Sequence, residues 1–305
     1  MISSLVVVGS TNTDMVIKAD HLPAPGETIL GGKFLMNPGG KGANQAVAAK
    51  RLGGNVTFIS KTGNDIFGRQ SVQMFEEEGI CTDYMISDTN NPSGIALISV
   101  DKNGENCIVV ASGANATLIP SDLKNAIKTI SSASTILMQL EIPVETVAFV
   151  ATMAKSHGIK VILNPAPALQ LSATLLHNIS IITPNKKEAE MLSGIAITGL
   201  ESVKEAAAII RDKGVETVIV TLGSEGAFIC TNEIEEMVTT PKVIAVDTTA
   251  AGDVFNGALA VALSENAAMR DAVLFACNAA ALSVTKLGAQ SSSPYRKEVE
   301  AFRNS

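Results

Sequence analysis

The chain is 305 residues long, 46% hydrophobic and 17% charged, with a formal net charge of -7. This length and composition fit one large folded α/β domain, or one such domain with a smaller appendage, and exclude a disordered chain. With no Lys/Arg cluster on the acidic background, no nucleic-acid partner is expected. Cys81, Cys107, Cys230 and Cys277 lack Cys-x-x-Cys spacing and read as thiols of a reducing compartment. No apolar run is long enough to span a membrane, and Met1-Ile2-Ser3-Ser4-Leu5 enters a strand without a basic leader. No membrane partner is therefore expected, and the cytoplasm is the expected location. His21, His157 and His177 are far apart, which gives little support to a histidine triad or metal cluster.

The first expected strand, Leu5-Val6-Val7-Val8, is a short continuous apolar run, as in strands buried on both faces. Asn12 and Asp14 fall at its carboxyl end, where an amide and a carboxylate either grip vicinal hydroxyls or form a turn. Met15–Lys18 through Phe34–Met36 reads as strands with no helix between them. Asn37-Pro38-Gly39-Gly40-Lys41-Gly42-Ala43-Asn44 then precedes a helix expected from about Gln45. Its glycines allow close backbone approach to a ligand, and Lys41 and Asn44 suit sugar hydroxyls. It is not a P-loop, because Gly42 follows Lys41 where Ser or Thr is required and Leu35 holds the upstream glycine position. The absence of Gly-x-Gly-x-x-Gly disfavours a nicotinamide dehydrogenase.

Further strands are expected at Val56–Ile59, Thr135–Met138, Lys160–Leu163, Ile179–Ile182 and Val218–Val220, with helices such as Asn44–Leu52 and Val203–Ile210 between them. This is the pattern of an α/β fold with a doubly wound, mostly parallel sheet flanked by helices. Ile95–Val100 and Asn106–Val110, around the turn Asp101-Lys102-Asn103-Gly104, form a second helix-free segment. A single domain over 1–305 is expected, with lid strands inserted at about 14–36 and 93–111. Such a small sheet either covers the carboxyl ends of the main strands and excludes water, extends the main sheet, or makes a subunit contact.

Glu141 follows the Thr135 strand with the same ambiguity as Asp14. In Thr183-Pro184-Asn185-Lys186-Lys187-Glu188-Ala189-Glu190, Asn185 occupies an N-cap position, and Glu188 and Glu190 either favour the helix N-terminus or help hold hydrated Mg²⁺. Thr221-Leu222-Gly223-Ser224-Glu225-Gly226 reads as a tight glycine turn or a phosphate or ribose contact before Ala227–Cys230. The most informative stretch is Val246-Asp247-Thr248-Thr249-Ala250-Ala251-Gly252-Asp253, ahead of the apolar helix Val254–Leu263. Small residues before a helix leave backbone N–H groups converging on one point, with the positive end of the dipole behind them. Asp253 alone reads as a cap; beside an anion hole it suits taking a proton from a hydroxyl that attacks a phosphoryl group. The segment therefore points to phosphoryl transfer. The loop Ser283–Pro294, rich in carbonyls and hydroxyls, suits a hard monovalent cation or a surface loop.

Two signatures, Gly39-Gly40-Lys41-Gly42-Ala43-Asn44-Gln45-Ala46 and Asp247-Thr248-Thr249-Ala250-Ala251-Gly252-Asp253-Val254-Phe255-Asn256-Gly257, resemble those of the ribokinase family of sugar kinases, also called the phosphofructokinase-B family. The likeness runs from Leu5 to about Phe302. Gly9–Asp14, Met138–Glu141, Asn164–Ala168 and Thr183–Asn185 resemble the family's ribose kinases more than its fructokinases or nucleoside kinases. Ala250 departs from the common Gly-Ala-Gly-Asp by one methyl, a variant also found among the ribose kinases.

The resemblance implies that Asp253 is the general base for the ribose O5 hydroxyl, with the N–H groups of Ala250, Ala251 and Gly252 as the anion hole. It puts Asn12, Asp14, Gly40, Lys41, Gly42, Ala43, Asn44, Glu141 and Asp253 itself on sugar-binding positions. Asn185, Thr221, Leu222, Gly223, Ser224, Glu225, Gly226, Gly252 and Asn278 match nucleotide-binding positions, and Glu188 an Asn-x-x-Glu element associated with Mg²⁺. Asp247, Thr249, Ser283, Lys286, Gly288 and Ser292 match a K⁺ site that uses mostly backbone oxygens. The implied reaction is ATP and D-ribose to ADP and D-ribose 5-phosphate, with Mg²⁺ and a K⁺ activator, in a homodimer formed through the lid sheet. The alternatives are a kinase for deoxyribose, another sugar or a nucleoside, and a catalytically silent sugar-binding regulator.

Overall fold

A computed structural model describes residues 4–303 of the chain. Met1, Ile2 and Ser3, expected to lead into the first strand, lie outside the described residues, as do the two ends of the unit expected over 1–305. The strands among the described residues are β1 (Ser4–Val8), β2 (Asn12–Lys18), β3 (Lys33–Gly39), β4 (Asn55–Gly63), β5 (Cys81–Asp88), β6 (Gly94–Val100), β7 (Asn106–Ala111), β8 (Thr135–Met138), β9 (Lys160–Leu163), β10 (Ile181–Ile182), β11 (Thr217–Thr221), β12 (Ala227–Cys230) and β13 (Glu235–Val238).

Nine strands form the main sheet in the order β13-β12-β11-β10-β9-β8-β1-β4-β5. All neighbours from β5 to β11 are parallel, and β12 and β13 add an antiparallel edge. Successive side chains of each buried strand enter opposite layers, the two-residue period of a strand. Val6, Val8, Ile136 and Met138 join a core that includes the helices Val144–Ser156 and Leu200–Asp212. Leu5, Val7, Leu137 and Ile162 join another with the helices Lys41–Arg51, Ala251–Ser264 and Met269–Ser283. The chain runs outward from β1 to β4 and β5, then returns to β8 on the other side of β1. That reversal opens a crevice at the carboxyl ends of β1 and β8.

A second sheet, in the order β3-β2-β6-β7, springs from this edge, because β2 follows the end of β1 and β3 ends just before the helix Lys41–Arg51. Its register puts Asn37, Asp14, Ala96 and Val110 in one row, and Met36, Met15, Leu97 and Val109 in a row on the opposite face. The second face exposes Phe34, Met36, Leu97 and Val109, which are 48–62% accessible.

Several boundaries differ from the sequence reading, β5 and β13 are strands it did not anticipate, and three of the differences are physically informative. The helix expected from about Gln45 begins at Lys41, because Gly40, at φ 89°, turns the chain directly into its first turn. The helix expected from Val254 begins at Ala251, so Gly252 and Asp253 lie inside it. β10 loses Ile179, whose N–H closes the preceding turn onto the Leu176 carbonyl. No helix among the described residues is long and apolar enough to cross a membrane.

The N-terminus of the helix Lys41–Arg51 sits hard against the end of β1, where a Cβ on Gly42 would lie 2.5 Å from the Ser10 nitrogen. Gly42→Ala is therefore expected to lower stability by about 1–3 kcal/mol through overpacking. Urea unfolding checks this; an unchanged midpoint would show that the contact yields freely.

Candidate active site

Asp253 occupies the first turn of Ala251–Ser264 and is 6% exposed. Its carboxylate does not cap its own helix. Oδ1 accepts from Gln45 Nε2 at 2.9 Å and Oδ2 from Asn44 Nδ2 at 2.9 Å, both on the facing helix. The N–H groups of Ala250, Gly252 and Asp253 make no hydrogen bond among the described residues, and that of Ala251 reaches the Thr248 carbonyl at 3.3 Å. Ala250 turns the chain into the helix at φ 59°, a left-handed conformation that costs a non-glycine residue roughly 1 kcal/mol or more. Burial raises the Asp253 pKa, opposed by Lys41 and by the amides of Asn44 and Gln45, while Glu141 adds to the rise.

Lys41, the first residue of its helix, gives its backbone N–H to Glu141 Oε2 at 3.0 Å. Ser10 Oγ donates to the same oxygen at 2.5 Å and accepts from the Gly42 N–H at 3.3 Å. Burial pulls the Lys41 ammonium downward, yet the fields of Asp253, Glu141, Glu188 and Asp14 hold it above its ordinary value. Asp14 is pushed from 3.8 to about 6 by burial, then by Glu141 and Asp253, with Lys41 opposing. Its carboxylate lies over Gly39, where any Cβ would overlap it. Asn12 Oδ1 accepts from Asn115 Nδ2 at 2.8 Å, and Asn115 also brackets both backbone polar groups of Thr11. Asn44 Oδ1 is buried with no partner among the described residues. Carboxylates crowded around one ammonium in a low-dielectric crevice, with displaced pKa values, have the character of a functional site.

Asn185 and Glu188 form a full capping box on the helix Lys186–Ser193. Asn185 Oδ1 accepts from the Glu188 N–H at 3.0 Å, while Glu188 Oε2 and Oε1 accept from the Asn185 N–H and Nδ2, each at 2.8 Å. Burial raises Glu188, the Asn185 bond and Lys41 pull it down, and Asp253 adds to the rise, so it shares the field of the crevice. Glu190 instead bonds the Ile197 N–H at 2.7 Å, away from that cluster. Thr221 bridges to Asn185, so the turn through Leu222, Gly223, Ser224, Glu225 and Gly226 starts beside it. Gly226, at φ 112°, leaves no room for a Cβ against the Val238 carbonyl. Asn278 is buried on Met269–Ser283. Among the described residues, no hydrogen bond joins Asn278 or this turn to the Asp253 cluster.

Asp247 clamps two loops together. Oδ1 accepts from the Thr249 N–H at 2.9 Å and Oγ1 at 2.6 Å, and Oδ2 accepts from the Gly288 N–H at 2.9 Å. Burial pushes its pKa up, but these bonds outweigh it and hold the carboxyl below its ordinary value. Ser283, Ser292 and Lys286 commit their side chains to Ala280, Ala289 and Glu298 respectively. The two serines spend only their hydroxyl protons and keep oxygen lone pairs for a cation, whereas Lys286 has only its carbonyl to offer. No group of three or more His, Cys, Asp or Glu among the described residues forms a metal cage. The donor chemistry fits hard cations that lean on one carboxylate, carbonyls or a ligand's phosphates.

Sequence reasoning overlooked Ser10, Asn115, Gln139, Asn164, Thr183 and Asn256 as site residues. The available signal was a polar residue within two positions of the end of an apolar strand, which recurs at Ser10, Gln139, Asn164 and Thr183 after β1, β8, β9 and β10, all four of them buried.

A family model described as pfkB family carbohydrate kinase matches residues 2–296. The chain is 45% identical over 302 residues to the ribokinase of Haemophilus influenzae, covering 99% of each. It is 39% identical over 295 residues to the deoxyribokinase of Salmonella typhi, covering 95% of each. The structure of Arabidopsis thaliana ribokinase complexed with ribose and ATP aligns with a TM-score of 0.94 at 33% identity, over 99% of both chains.

Because Asp14 titrates at 3.8 unfolded and about 6 folded, the folded chain binds more protons between these values, and stability falls as pH rises through that window. Asp14→Asn is expected to stabilise the free protein above about pH 6 by roughly 2 kcal/mol and to flatten this slope. Urea unfolding across pH checks it. A variant no more stable than the parent at neutral pH would remove the claim that the site bears this cost.

Proposed function

The chain belongs to the pfkB family of carbohydrate kinases and is an ATP:sugar phosphotransferase, and from that premise we propose that it phosphorylates D-ribose at the O5 hydroxyl to give D-ribose 5-phosphate and ADP. The observation that carries this reading is the meeting of Asp14, Lys41, Asn44 and Glu141 around the buried Asp253. Asn12, Asp14 and Glu141 engage the sugar's vicinal hydroxyls, with Gly40, Lys41, Gly42 and Ala43 lining the approach. The unpartnered Asn44 Oδ1 supplies an acceptor for a hydroxyl. The second sheet acts as the lid that excludes water.

Asp253 takes the proton of the attacking hydroxyl, its two oxygens already fixed in direction by Asn44 and Gln45. The unpaired N–H groups of Ala250 and Gly252, joined by Ala251 once its long bond to Thr248 is released, receive charge on the transferring phosphoryl group. The Asp253 N–H is a further donor at the same turn. Lys41 offsets negative charge in the crevice. Asn185, the turn Thr221–Gly226, Gly252 and Asn278 hold ATP. Glu188 fits a water-mediated hold on Mg²⁺, and Asp247 with backbone oxygens of Thr249, Ser283, Lys286, Gly288 and Ser292 fits K⁺. When bound, Mg²⁺ would supply neutralisation of phosphate charge and K⁺ a fixed positive charge near its ligands.

The exposed apolar face carrying Phe34, Met36, Leu97 and Val109 supports a homodimer formed by pairing lid sheets. Four free cysteines accord with a cytoplasmic location. A deoxyribose kinase is the second reading, favoured by the 39% identical deoxyribokinase.

Asp253→Asn is expected to lower kcat by at least about a hundredfold while leaving ribose affinity within a few-fold. ADP release and calorimetric ribose binding measure the two quantities. A near-normal kcat would remove Asp253 as the base.

A further inference from the structure

Behind Asp253 and its partner Gln45 lies a chain of buried polar groups, through Gln139, Asn164, Thr183 and Asn256, that the reaction scheme above leaves out. Gln45 is fully buried, and its Nε2 donates both to Asp253 Oδ1 at 2.9 Å and to Asn164 Oδ1 at 3.1 Å. Its Oε1 accepts from Gln139 Nε2 at 2.5 Å. Asn164 Nδ2 donates to the Thr183 carbonyl at 3.3 Å, Thr183 Oγ1 to Asn256 Oδ1 at 2.6 Å, and Asn256 Nδ2 to the Gly252 carbonyl at 2.8 Å. The path leaves the Asp253 carboxylate, crosses the carboxyl ends of β9 and β10, and returns to the residue just before Asp253.

The directions of these bonds are not free. A backbone carbonyl can only accept, so Thr183 forces Asn164 to present Nδ2 to it and Oδ1 to Gln45. Gln45 must then present Nε2, and this same nitrogen reaches Asp253. At the other end the Gly252 carbonyl fixes Asn256 in the same way. Two glycines keep the approach open: a Cβ on Gly9 would overlap Gln139, and one on Gly42 would press on the backbone at Gly9 and Ser10.

We propose that Gln45 is a positioning residue for the reaction, fixed in orientation by Asn164 so that it donates to Asp253, holds the carboxylate plane and favours its ionised, proton-accepting form. This rests on the reading of Asp253 as the base. A donor to a carboxylate stabilises the charged form, so loss of Gln45 makes Asp253 harder to ionise. Asp253 is also faced by Lys41 on the helix Lys41–Arg51, Glu141 beyond β8, Asp14 on β2 and Glu188 on the helix Lys186–Ser193. None of the four hydrogen-bonds Gln45, whose side-chain partners are Asp253, Asn164 and Gln139.

The test is the pH profile of kcat at saturating ribose and ATP for Gln45→Met, a substitution of similar length that cannot donate. The acid limb is expected to move up by about one unit, with kcat on that limb down about tenfold and KM for ribose within about threefold. Asn164→Leu touches Gln45 but not Asp253. By freeing the Gln45 amide to turn over, it is expected to move the same limb upward by less, and it serves if Gln45→Met does not fold. An unmoved limb in either folded variant, with kcat within about twofold of the parent, overturns the proposal. Asp253→Asn, run in parallel, separates the two claims. If it is inactive while the limb stays put, the positioning role alone fails; if it is active, the base reading fails and this role fails with it.

Discussion

Keeping an ionisable carboxylate dry at the start of a helix is the constraint around which the crevice is built. Asp253 has almost no contact with solvent, and burial alone would drive it toward the neutral acid. What opposes this is a near ammonium, Lys41, and amide donors from Asn44 and Gln45. All three residues lie in the first turns of one helix, so the position of Lys41–Arg51 relative to Ala251–Ser264 sets the surroundings of the Asp253 carboxylate. Small residues make that position attainable. A Cβ on Gly257 would come within 2.9 Å of the Ala49 nitrogen and the Gln45 carbonyl, so the two helices meet almost backbone to backbone.

The same constraint explains why the crevice works against stability. Ala250 holds a left-handed turn, Asp14 and Glu188 are raised by burial and by carboxylate neighbours, and Asn44 Oδ1 has no partner. Such costs are typical of sites preorganised for a ligand that relieves them, and two apolar layers on either side of a nine-stranded sheet can carry them. On the proposed reading, a bound sugar would supply hydroxyls to the orphan acceptor and to the crowded carboxylates, and a phosphoryl group the anion that the helix N-terminus lacks.

Much of the fold was legible in the sequence because buried strands announce themselves as short branched apolar runs: Thr135–Met138 and Lys160–Leu163 match their strands end to end. Helix starts were less legible. Glycines at Gly40 and Gly252 resemble loop residues, yet one turns the chain into a helix and the other sits within a helix's first turn. Asp253 was ambiguous between cap and base because sequence gives no direction to a side chain; the bonds from Asn44 and Gln45 point it away from its own helix. For Asn185 and Glu188 the capping geometry is present in full, and the field shared with Lys41 and Asp253 adds a functional reading to it. The amide chain through Asn164, Thr183 and Asn256 was illegible, since its members are far apart in sequence and are brought together only by the parallel order of the strands.

The claim that this crevice is built for ribose is tested most directly by ADP release from MgATP with ribose, 2-deoxyribose, fructose or adenosine as acceptor, each in K⁺ and in Na⁺. Turnover that depends on ribose and rises with K⁺ is the result expected from the arrangement of Asn12, Asp14 and Glu141 and from the Asp247 clamp. Turnover confined to another acceptor would contradict the sugar assignment while leaving the fold and Asp253 in place.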